Sequence, residues 1–98
     1  MIHHIALFKW KPGTTAKQEQ EIGAQLLALK GKVPGLISAS FGHQNSPEGL
    51  GKEFDVGLAV VFSDAAARDA YLPHPAHQAV VAVLRPLLAD VIVLDYQF

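Results

Sequence analysis

Tyr71, His74 and His77 lie within one seven-residue run, Tyr71-Leu72-Pro73-His74-Pro75-Ala76-His77. A neutral imidazole takes a proton from a carbon beside a carbonyl, or from a hydroxyl, and a phenol donates a hydrogen bond to a developing enolate oxygen. Tyr71 and His77 are therefore the candidate catalytic pair. The chemistry they allow is cofactor-free proton transfer: aldol closure, enolisation or isomerisation, as in a lyase, cyclase or isomerase. The same run dictates its own geometry. Each proline holds the residue before it extended, so Leu72 should end one helix and His74 should stand outside the next. Pro75 suits the first helical position, where a missing N–H costs nothing. His74 is then the N-cap and His77 the N3 residue, where the helix dipole disfavours an imidazolium.

Blander roles exist for these side chains. A capping His74 and a Tyr71 packed at a helix end need no function, and His77 could bond a backbone carbonyl and fix the elbow. The spacing of His74 and His77, with His4 as a third nitrogen, matches the ligand count of zinc. No carboxylate of fixed position joins them, so no metal is expected. A haem would use a lone pocket histidine as axial ligand, and nothing in the sequence singles one out. The expectation is a protein without a cofactor.

The elements that must position this elbow follow from periodicity. Ile2–Trp10 reads as a strand with His4, Ala6, Phe8 and Trp10 on one face and Ile5 and Leu7 on the other. Pro12-Gly13 ends it. Thr14 or Thr15 caps a first helix, in which Ile22, Leu26, Leu29 and Val33 form an apolar stripe that stops at Pro34-Gly35. Gly23 interrupts this helix, either for close packing or to leave space for a ligand. Leu36–Phe41 is a second strand, and Gly42–Phe54 is a long loop. Asp55–Phe62 is a third strand, Ala65–Tyr71 a short helix capped by Ser63 or Asp64, and 75–88 a helix disturbed by Pro86. Val91–Phe98 is the last strand, with Val91, Val93 and Asp95 alternating against Ile92, Leu94 and Tyr96.

The order β-α-β-β-α-α-β predicts an α+β, ferredoxin-like βαββαβ fold, a four-stranded antiparallel sheet with helices on one face. Strands one, three and four are apolar on both faces, yet helices cover only one. A second copy is the economical cover, since most oligomers are symmetric homodimers, so the sheets should pair as a dimeric α+β barrel. His4 is expected on the sheet face away from the helices, oriented toward the ligand or the Tyr/His pair. Phe8, Ile22, Leu26 and Val60 complete the expected ligand wall. The ligand class is a small hydrophobic carbonyl or phenolic compound.

The totals bound the rest. The 98 residues, half of them hydrophobic, make one domain, residues 1–98. Eight Lys/Arg residues scattered against nine Asp/Glu give a formal charge of −1, which argues against a nucleic-acid partner. With no cysteine there is neither disulfide nor thiolate chemistry. The first residues lack a basic n-region, and the apolar runs fall well short of the roughly 20 residues a membrane helix needs. A soluble cytoplasmic protein without a membrane partner is expected.

Several stretches together resemble the stress-responsive A/B barrel (Dabb) family: residues 4–13, Val33-Pro34-Gly35, Phe54-Asp55, the elbow itself, and Asp95-Tyr96. The likeness runs through almost the whole chain, and the His-Pro-Ala-His element is its most specific part. The resemblance implies a dimeric α+β barrel with a role in stress, either as an enzyme or as a non-enzymatic structural or ligand-binding protein. A plant polyketide cyclase of that family closes a poly-β-keto thioester into an aromatic acid without a cofactor, and its catalytic pair is similar to Tyr71 and His77. A first-strand histidine matching His4 lines its pocket. The aromatic residues of its first helix are replaced here by Ile22, Gly23, Leu26 and Leu27, so the resemblance carries the acid/base group without the substrate.

Overall fold

Thr15 starts the first helix with a reciprocal pair of hydrogen bonds. The Gln18 N–H donates to Thr15 Oγ1 (3.1 Å), and the Thr15 N–H donates to Gln18 Oε1 (2.9 Å). In a computed structural model describing residues 1–98, this helix, α1, spans Ala16–Ala28 and tightens into a 3-10 turn at Leu29–Gly31. Strand β1 (Ile2–Trp10) precedes it, and β2 (Leu36–His43) and β3 (Val56–Phe62) follow. Asp64 caps α2 (Ala65–Tyr71) by accepting from the Ala67 N–H at 2.8 Å. Helix α3 is Pro75–Leu84, and β4 is Leu88–Gln97.

The four strands form one antiparallel sheet in the order β2-β3-β1-β4. The ferredoxin-like reading therefore holds, with β1 and β3 central. Ile2, Ala6, Phe8, Val56, Leu58, Val60 and Phe62 point inward to meet Ile22, Leu26 and Leu29 of the α1 segment and Val80 and Leu84 of α3. Phe62 is completely buried, and Ile22 is 1% exposed. On the outer face, Ile92, Leu94 and Tyr96 remain about half exposed beside Ile5 and Leu7. No helix is long and apolar enough to cross a membrane.

Boundaries shift where local geometry outweighs the apolar pattern. β2 continues through Gly42 and His43, because both pair with β3 opposite Gly57 and Val56. Asp55 is not a strand residue. Its carboxylate instead accepts from the Trp10 N–H (2.8 Å) and its N–H donates to the Phe8 carbonyl (2.8 Å), fixing the end of β1. Pro86 turns the chain at Arg85–Leu87 into a 3-10 segment, so α3 ends at Leu84 and β4 begins three residues earlier than the alternation suggested. Gly23 serves close packing: a Cβ there would sit 2.7 Å from the Phe41 ring.

Candidate active site

The elbow forms around its prolines, but only His74 before Pro75 is extended (φ −60°, ψ 133°). Leu72 before Pro73 keeps helical angles (φ −58°, ψ −47°), contrary to the expectation, because it still closes the last turn of α2 as its C-cap. His74 is the N-cap of α3 and accepts from the Ala76 N–H through Nδ1 (3.1 Å), and Pro75 occupies the first turn. His77 lies 2.9 Å through Nδ1 from the Leu72 carbonyl. A carbonyl only accepts, so Nδ1 carries the proton and the lone pair of the neutral ring is on Nε2. The His77 ring packs on that of Tyr71, with centroids 4.0 Å apart. The blander role foreseen for His77 is thus met by one nitrogen, leaving the other without a protein partner.

Tyr71 is 1% exposed and packs on Phe62 and His4, at centroid distances of 5.0 and 5.9 Å. Its hydroxyl makes no hydrogen bond within the protein, yet no buried side-chain polar atom lacks a partner. The hydroxyl is therefore the part of Tyr71 that reaches open space. That space is a cleft of about 270 Å³ between α3 and the β1–β4 half of the sheet. His4, Phe8, Leu26, Tyr71 and His77 line it, with Leu88, Val91 and Val93 on the strand side.

His4 is on the helix-facing side of the sheet, contrary to the expectation from sequence. Alternation correctly grouped it with Ala6 and Phe8, but with both faces apolar it could not say which group met the helices. Two further corrections concern the wall. Ile22 and Val60, 1% and 2% exposed, lie in the closed core rather than along the cleft. Their side chains fill the contact between α1 and the central strands.

Register brings His4 opposite Asp95. His4 Nδ1 is 2.6 Å from Asp95 Oδ1, and the other carboxylate oxygen accepts from Arg68 Nη1 at 2.7 Å. Because a carboxylate only accepts, Nδ1 of His4 is the donor, and Nε2 is turned to the cleft with no protein partner. Sequence reasoning left Asp95 and Arg68 without roles. Asp95 is 91 positions from His4, and only the pairing of β1 with β4 reveals the contact.

These surroundings set the protonation states. Burial pushes the Tyr71 phenol up to about 12, so it stays a donor at neutral pH. Burial holds His77 below its ordinary value; the nearby His4 and His74 act the same way, against the opposing bond to Leu72. For Asp95, burial acts upward, but the hydrogen bonds from Arg68 and His4 outweigh it and hold the carboxyl below its ordinary value. Asp95→Ala removes the acceptor of a buried N–H and is expected to cost about 2 kcal/mol, or about 10 °C of Tm. With its folded pKa depressed, the ionised Asp95 contributes stability above pH 3.8 and loses it as pH falls through the folded value. Melting curves of wild type and Asp95→Asn should therefore converge below that pH, and a gap that persists into acid would contradict the assignment.

This helix-on-sheet arrangement is shared by known proteins. The family model of the stress responsive A/B barrel domain matches residues 2–98. The chain belongs to this family. Relatives of the A/B barrel chain include an uncharacterized protein of Streptomyces coelicolor, 33% identical over 100 residues and the full length of both chains. A dimeric ferredoxin-like protein of unknown function from Jannaschia sp. CCS1 superposes with a TM-score of 0.89 at 25% identity, covering 99% of this chain and 98% of the other. The hydroxynitrile lyase of Passiflora edulis has the same fold, with a TM-score of 0.89 at 21% identity over 97% and 90% of the two chains.

Proposed function

We propose that this A/B barrel protein is a homodimer whose clefts bind a small hydrophobic carbonyl or phenolic compound and carry out cofactor-free acid/base chemistry on it. The observation that carries the reading is the closely packed Tyr71–His77 pair, with Oη and Nε2 unpartnered at an apolar cleft. His77 Nε2 removes the proton from the carbon beside the carbonyl, and the C–H electron pair becomes the enolate double bond. Tyr71 donates to the resulting oxyanion, and His4, held by Asp95, orients the ligand. Phe8 and Leu26 supply apolar wall. The proton on His77 then returns to carbon or to a leaving group, which gives isomerase, cyclase or lyase outcomes from one device. That the Passiflora edulis lyase shares the fold supports the last of these.

The outer sheet face supports the homodimer. It holds a wider hollow of about 770 Å³ formed by Ile5, Leu7, Leu50, Phe54 and Ile92, among others. That hollow contains no juxtaposed acid and base like Tyr71 and His77, and its apolar surface suits a second copy. The dimeric Jannaschia protein has this fold.

The test is deuterium exchange of phenylacetone α-protons in D₂O, followed by NMR, with light scattering for mass. Acceleration over buffer is expected, reaching its plateau as His77 deprotonates, with the acid limb centred below the ordinary 6.5 because burial lowers its pKa. Scattering should give twice the 10.5 kDa chain mass. Binding without exchange would leave a ligand-binding protein and end the enzymatic reading.

A further inference from the structure

Arg85 is the one lysine, arginine, aspartate or glutamate lining the cleft. It forms none of the chain's ion pairs, although an arginine at a helix C-terminus has the helix dipole as a default partner. Its position is fixed: Leu84 ends α3, Pro86 locks the 3-10 turn, and the Leu87 carbonyl accepts from the Lys11 N–H at 2.8 Å. Between His77 and Arg85 the helix rises roughly 12 Å. The floor under that span is apolar, Ala6 and Phe8 from β1 beside Val93 and Val91 from β4. The cleft therefore has a proton-transfer end, an apolar middle and a cationic end.

We infer that Arg85 anchors an anionic group, and that the substrate class is an elongated amphiphile with a carbonyl at the His77 end and a carboxylate or phosphate at the Arg85 end. This rests on the cleft being the ligand site. The guanidinium is always charged and presents a planar fork that suits either anion. Its exposure to water limits the gain, which makes it a selector among carbonyl compounds more than a source of tight binding.

Titration calorimetry with 7-oxooctanoate, its methyl ester and 2-octanone tests the inference, on wild type, Arg85→Gln and Arg85→Lys. Wild type should bind the acid about tenfold more tightly than the ester, a preference that weakens with added salt. Arg85→Gln should bind all three alike, at the affinity wild type shows for the ester, while Arg85→Lys keeps part of the preference. Replacing 7-oxooctanoate with a phosphonate analogue of equal length separates the two anions. If acid and ester bind wild type equally, or Arg85→Gln keeps the preference, the anchor is wrong and the cleft reading stands. If the keto acid fails to bind while phenylacetone exchange proceeds, the elongated class is wrong. If no carbonyl compound binds and no exchange occurs, the cleft reading falls and the anchor with it.

Discussion

His77→Gln should lower the rate of phenylacetone exchange by two to three orders of magnitude while leaving the melting temperature nearly unchanged. Removal of a positioned general base typically costs about 10²–10⁴ in rate. Glutamine fills much the same space and can still donate to a carbonyl, but it offers no basic nitrogen. The fold should tolerate the change because the Leu72 carbonyl also accepts from Gln78 Nε2 at 2.8 Å, so the elbow keeps a tie. Tyr71→Phe should have a smaller effect, since it removes a donor and not the base. Exchange rates and melting curves on the same samples check both halves. An unchanged rate, or a fall in Tm comparable to that of a core mutant, would assign His77 to architecture.

Gly35→Ala should be the most damaging small substitution for stability. Gly35 has φ +82°, a conformation that costs a side chain about 1 kcal/mol or more. A Cβ there would also sit 2.5 Å from Ala67 Cβ and 3.1 Å from Ser63 Oγ. Both neighbours are short, so relief requires moving β2 away from α2, at about 2 kcal/mol for an overpacked contact. The Gly35 carbonyl accepts the Ser63 N–H at 2.9 Å, a bond that the same movement would stretch. The sum, about 3 kcal/mol, corresponds to a fall of about 15 °C in Tm for a domain of this size. Gly13→Ala separates the causes. Gly13 has φ +89° with open space around it, so it should show the backbone cost alone. Equal losses at the two positions would remove the packing argument.

Much of this was legible from the chain because local chemistry decided it. Pro75 marked the elbow and the start of α3, Thr14-Thr15 and Ser63-Asp64 marked helix starts to within a residue, and apolar alternation on both strand faces announced a sheet that helices alone would not cover. What stayed hidden depends on contacts between distant segments. The face of β1 that meets the helices, and with it the setting of His4, was not readable because both faces are apolar. The His4–Asp95–Arg68 chain needed the β1–β4 register. Ile22 and Val60 were expected on the cleft because apolar periodicity marks burial but does not distinguish a core from a wall. Gly23 had two readings, and only the Phe41 ring against it decides for close packing.

Strand β4 is an edge strand whose pairing partner is β1. Its odd-numbered residues Val91 and Val93 form the cleft wall, while Ile92 and Leu94 lie on the outer face, the one proposed above for a second copy. One backbone therefore serves both surfaces, and ordering it from either side reduces the entropy left to lose on the other. With the proposed ligand in the cleft and the proposed second copy on the outer face, occupancy and self-association would be thermodynamically linked, and by reciprocity the ligand would tighten the assembly by the factor by which the assembly tightens the ligand. Abundance of the chain would then act as an input to its own affinity.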